Sequence, residues 1–83
     1  MFKLDKDILY VTLPEGKTQG LLMLQANHSI DNISGELQGL DLKINGRVTT
    51  GMALILGHKL AHICKSVSIF DPKEGKYFVA IKH

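Results

Sequence analysis

Apolar and polar residues follow two different rhythms along this chain, a period of two in short runs and a helical period in longer ones. Ile8 to Leu13 (ILYVTL) is rich in β-branched and aromatic residues and meets Pro14-Glu15-Gly16, which cannot continue a ladder, so a strand with a tight exit is predicted. Leu21 to Ala26 is apolar but short. Periodicity does not decide there between a hairpin partner for the first strand and a turn of helix, and strand is the favoured reading. Ser29 is placed to cap a helix whose Ile30, Ile33 and Leu37 fall at i, i+3 and i+7, with Gly39 as its left-handed terminator and Gly35 weakening it by about 1 kcal/mol. Leu40, Leu42 and Ile44 alternate with Asp41, Lys43 and Asn45 before Gly46, the pattern of a half-buried strand that ends at a sharp turn.

Thr49 or Thr50 can cap the next helix, predicted from about Thr50 to Lys65. Its first half, through Met52, Leu54, Ile55 and Leu56, is apolar all round and must be buried. Its second half is amphipathic, with His58, His62 and Lys65 on one face. Val67 and Ile69 alternate with Ser66 and Ser68 as a strand, Pro72 to Gly75 forms a turn, and Tyr77, Val79 and Ile81 alternate in a last, antiparallel edge strand. Strand, helix, strand, helix, strand, strand is the order of an α/β domain with a mixed sheet of four or five strands, a main helix and a C-terminal β-hairpin.

Length makes this a single domain over residues 1–83, with no room for a second core. An apolar fraction of 45% is too high for a disordered tail, and the longest apolar run, Met52 to Leu56, falls far short of the roughly 20 residues a membrane span needs. A net charge of +2 lacks the basic field that grips duplex DNA, so a nucleic-acid partner should be short or locally bound. The single cysteine, Cys64, has no partner for an internal disulfide and reads as structural, and no charged-then-apolar leader opens the chain. A cytoplasmic setting is expected. A core of this size supplies about 3 to 5 kcal/mol, which makes self-association an expectation as well.

In open α/β sheets ligands gather outside the carboxyl ends of the parallel strands. Asn45-Gly46-Arg47 ends a strand just before the main helix, so Arg47 could direct its planar donors at a phosphate near that helix's N-terminus, with Thr49 and Thr50 adding hydroxyls and Gly46 and Gly51 permitting close backbone approach. Asp71 ends the strand after the helix. His58 and His62, one turn apart, suit a divalent metal or proton transfer, although Gly57-His58-Lys59 lacks the glutamate of the zinc metalloprotease motif. Each has a plainer alternative: Gly46 makes a turn, a threonine caps the helix, the histidines are solvated near a helix end, and Asp71 caps its own Asp-Pro turn. Gly16-Lys17-Thr18 lacks the earlier glycine of a Walker loop.

The ordered set Ile44-Asn45-Gly46-Arg47, then Leu56-Gly57-His58-Lys59-Leu60-Ala61-His62, then Val67 through Asp71-Pro72-Lys73-Glu74-Gly75 to Val79 resembles the Csx-three family of CRISPR-associated proteins over about the last 40 residues. The resemblance implies a small Rossmann-like domain and a ring nuclease that uses manganese to linearise cyclic tetra-adenylate, the second messenger of type III CRISPR defence. Family members are also described as manganese-dependent deadenylating RNA exonucleases. Carried over residue by residue, it implies that Arg47 contacts the nucleotide backbone, that His62 and Asp71 belong to the catalytic or manganese site, and that His58 and Lys73 assist. Lys73 stands where the family often has arginine, and His83 where it tends to carry a polar, histidine-containing segment. A ring of four nucleotides has two-fold symmetry, which a homodimer or tetramer around it would match. The alternative is a non-catalytic module that binds cyclic oligoadenylate or short RNA and regulates a partner; a purely structural α/β domain would bind no nucleotide.

Overall fold

The alternating segments become the strands of one sheet in the computed structural model, which describes Met1 to Lys82; His83 lies outside the described residues. The order is β1 (Phe2–Asp5), β2 (Ile8–Val11), α1 (Gln19–Leu37), β3 (Asp41–Gly46), α2 (Thr50–Ile63), β4 (Ser66–Asp71) and β5 (Lys76–Lys82). The five strands lie in chain order, with β2, β3 and β4 parallel and the edge strands β1 and β5 antiparallel to their neighbours. The result is a small α/β domain with a mixed sheet and two helices, and the antiparallel last strand is at an edge as the sequence suggests.

Two expectations change. Leu21 to Ala26 is not a strand but the first half of α1, which Thr18 caps by accepting a hydrogen bond from the Leu21 amide at 3.3 Å. The buried residues Leu22, Ala26 and Ile30 fall one turn apart, so the short apolar run belongs to the same helical stripe that continues to Leu37. Ser29 therefore lies inside the helix rather than at its start, whereas Gly39, with φ of 71°, does follow the helix end in the left-handed region. The second change is β1, an added edge strand whose Phe2 and Leu4 turn inward opposite Val11 and Leu9.

Both crossovers advance in the same direction along the sheet, and right-handed crossovers of that kind place both helices on one face. Leu9, Leu42 and Val67 from the strands accordingly pack with Ile30 and Leu37 of α1 and Leu56 and Leu60 of α2 in one core. Cys64 is buried in the same core, and burial pushes its thiol pKa up, in keeping with a structural role. The helices meet directly, clasped by the Lys59–Asp31 ion pair at 2.5 Å. The other sheet face carries no helix among the described residues. Beyond α2 the helical layer also runs out, leaving the paired Ile69 and Phe78 exposed, with Ile69 lining a small apolar groove between α2 and strands β4 and β5.

On the open face Lys43 Nζ donates to Asp7 Oδ2 at 2.6 Å, a bond that holds the Asp7 carboxyl below its usual range and the Lys43 ammonium above its own. The Asp7 contribution to stability is present above pH 3.8 and is lost as pH falls through the lowered native value. The Lys43 contribution is present below pH 10.5 and is lost as pH rises through the raised one. Asp7→Asn should therefore narrow the stability difference between pH 6 and pH 3, read as urea midpoints. An unchanged pH dependence would remove the pair from the account.

Candidate functional site

Parallel β2, β3 and β4 end at the same edge of the sheet, and the helices that follow β2 and β3 begin there. β3 closes on Gly46, with φ of 125°, directly opposite Val11, and a Cβ at this position would run into the Val11 carbonyl oxygen. Glycine is thus required for the two strands to stay paired to their ends. The next residue, Arg47, is exposed and makes no ion pair among the described residues. It stands between two shallow clefts open to solvent. One, of about 570 Å³, is walled by the Val11–Glu15 exit of β2; the other, of about 340 Å³, by Asn45, Phe70 and Pro72. Arg47 and the end of β4 therefore share a cleft, as the argument from strand ends requires.

The hydroxyls beside it are partly engaged in the fold. Thr49 caps α2 by accepting from the Met52 amide at 3.2 Å, and its Oγ1 donates to Gln19 Oε1 at 2.5 Å, tying the starts of the two helices together. Thr50 is the exposed first residue of α2. Gly51 is explained by helix packing: a Cβ there would lie 2.7 Å from Met23 Sδ, so its small size lets α2 approach α1. The Gly-Lys-Thr segment serves as the start of α1.

Asp71 is half-buried at the carboxyl end of β4, where its Oδ1 accepts from the Lys73 amide at 2.9 Å and the Glu74 amide at 3.3 Å. That is the turn-capping role available to any Asp-Pro, and Lys73 is exposed in the same turn. His58 and His62 are exposed on α2 with ring centroids 5.2 Å apart, edge to face. α2 runs back toward the start of β4, so His62 sits near the amino end of the strand whose carboxyl end carries Asp71. Six strand residues put about 17 Å between those ends. The structure therefore brings Arg47 into one cleft with Phe70 and Pro72, the chain neighbours of Asp71, while Asp71 itself does not line that cleft and His62 and His58 lie away from it. Among the described residues no three His, Cys, Asp or Glu side chains gather as metal ligands.

A row on the open sheet face escaped the sequence reading. Tyr10 pairs with Asn45, Phe70 follows the partner of Ile44 and so lies beside Asn45, and Phe70 pairs with Tyr77. Asn45 Nδ2 donates to Tyr77 Oη at 3.0 Å, and the Phe70 and Tyr77 rings tilt together at 5.1 Å. The signal was the alternation itself, which puts Tyr10, Asn45 and Phe70 out of phase with the inward-facing residues of their strands; Tyr77 has the sequence phase of the inward Ile81, and a register shift opposite Val67 and Ser68 separates the two. No family model, curated protein or solved structure matches the chain.

Proposed function

We propose that the protein holds the phosphodiester backbone of a short RNA, cyclic tetra-adenylate in particular, at the carboxyl ends of β2, β3 and β4. The observation that carries this reading is the position of Arg47, an exposed guanidinium without an acidic partner among the described residues, where three parallel strands end and two helices begin. Guanidinium matches phosphate geometry, and helix N-termini favour anions. Both clefts at Arg47 are shallow, so a ring of four nucleotides needs walls from a second copy. The apolar groove lined by Val48, Ala53, Ile69 and Ile81 supports a two-fold assembly.

Cleavage belongs to this reading through the likeness to the ring nucleases, which also carries the Rossmann-like kinship, while the cytoplasmic setting rests on the single cysteine. The ribose 2′-hydroxyl of such a ring can act as nucleophile, with a histidine as general base. Because Asp71 and His62 stand at opposite ends of one subunit, a shared site, or a manganese ion held by both, takes one residue from each of two copies. The alternative, binding without cleavage, is favoured by the engagement of Asp71 in its own turn.

Arg47→Ala should weaken binding of cyclic tetra-adenylate about ten- to hundredfold, the loss of charge-assisted hydrogen bonds worth about 1.5 to 3 kcal/mol, in calorimetric titration. Unchanged affinity would refute the binding reading. Mass spectrometry of the ring after incubation with manganese or with chelator separates cleavage from binding alone.

A further inference from the structure

The cleft between Arg47 and Pro72 has a floor unlike a simple phosphate site. It is lined by Asn45 and Phe70 as well as by Gly46, Arg47 and Pro72. Tyr10, 38% exposed, flanks Asn45 on the opposite side from Phe70. Two strand spacings set the backbones of Tyr10 and Phe70 about 10 Å apart, and a flat ring in van der Waals contact on both faces takes up about 7 to 8 Å. The amide at the floor is oriented: one Nδ2 hydrogen goes to Tyr77 Oη, which leaves Asn45 Oδ1 and the second Nδ2 hydrogen for a ligand. This row of the open face, Lys3, Tyr10, Asn45, Phe70 and Tyr77, holds an ammonium and no carboxylate, while Asp5, Asp7 and Asp41 lie toward the other end of the sheet.

Resting on the phosphate-binding reading of Arg47, we infer that Tyr10, Asn45 and Phe70 form a subsite for an adenine base of the nucleotide whose phosphate Arg47 holds. The base enters edge-on between the aromatic walls. Asn45 Oδ1 accepts from the adenine N6 amino group and Asn45 Nδ2 donates to N7, the two-bond pairing for which asparagine suits adenine. A 6-oxo purine presents an acceptor to Oδ1 in place of the amino donor, so it is rejected. Stacking on Phe70 and Tyr10 supplies base affinity that does not depend on sequence, and Asn45 supplies the discrimination.

The test is equilibrium binding of three tetranucleotides, oligoadenylate, oligoinosinate and an abasic ribose-phosphate oligomer, to the wild type and to variants whose folding is checked by circular dichroism. The wild type should bind oligoadenylate about fivefold or more tighter than oligoinosinate, and the abasic oligomer most weakly. Phe70→Leu should weaken both base-bearing oligomers about five- to hundredfold and leave the abasic one unchanged. Asn45→Leu, which keeps the size but can neither accept from N6 nor donate to N7, should abolish the preference for adenine, and Tyr77→Phe, which frees the Asn45 amide, should reduce it. Arg47→Ala should weaken all three ligands. Equal binding of abasic and base-bearing oligomers, or an undiminished adenine preference in Asn45→Leu, overturns the subsite while a loss in Arg47→Ala keeps the phosphate reading. No loss in Arg47→Ala overturns the phosphate reading itself, and the subsite with it.

Discussion

Gly46→Ala should remove most of the stability of this protein. An alanine held at φ of 125° costs about 1 to 3 kcal/mol in backbone strain alone. Its Cβ must also displace the Val11 carbonyl, which belongs to a paired strand and cannot swing aside as a flexible side chain could. A domain with about 3 to 5 kcal/mol in hand has little left after such a change. Gly35→Ala is the matched control: a Cβ there meets nothing within 4 Å, and the exposed helix interior should gain about 0.5 to 1 kcal/mol. Urea unfolding followed by circular dichroism reads both, with the midpoint falling for Gly46→Ala and rising for Gly35→Ala. Gly46→Ala as stable as the wild type would mean that β2 and β3 do not need their close approach, and the position of Arg47 would lose its structural cause.

The second large effect concerns cleavage and rests on the separation of His62 from Asp71 within one subunit. His62→Ala and Asp71→Asn should each be inactive toward cyclic tetra-adenylate. If the cutting site takes one residue from each of two copies, mixing the two inactive proteins should restore turnover. In a symmetric dimer, random exchange makes half the dimers mixed, and each mixed dimer has one complete site of two, so about one quarter of wild-type activity returns. An active wild type whose variants stay inactive when mixed would show that the two residues do not act in one shared site. Full activity in both single variants would exclude them from the chemistry altogether.

The period-two pattern made β2 and β3 legible because Leu9, Val11 and Leu42 are buried while Tyr10 and Asp41 face solvent; β4, with Ser66, Val67 and Ser68 all buried, and β5, with its register shift against β4, keep the apolar pattern without that clean division of faces. The misreading of Leu21 to Ala26 came from judging six apolar residues as a unit, when the informative spacing was from Leu22 through Ala26 and Ile30 to Leu37. β1 escaped because Phe2 and Leu4 are too few to show an alternation. The same logic divides the site. Arg47 could be placed because it follows a strand end, and all parallel strand ends gather at one edge. His62 and Asp71 are nine residues apart and look adjacent along the chain. A crossover helix delivers its last turn to the beginning of the next strand, however, so the intervening strand carries Asp71 to the far edge. Nearness in sequence across such a unit therefore means distance in space.

Cys64 closes α2 with its amide bonded to the Leu60 carbonyl and its side chain 5% exposed against the sheet. A thiol reagent reaches that sulfur only when the end of α2 lifts from β4, so the rate at which Cys64 is modified, compared with its rate in urea, measures how often the core opens. With about 3 to 5 kcal/mol of stability, labelling in buffer should run about two to four orders of magnitude slower than in the unfolded chain. Any ligand that braces the carboxyl edge of the sheet will slow it further, and the protein thus carries its own clock for the breathing of its core.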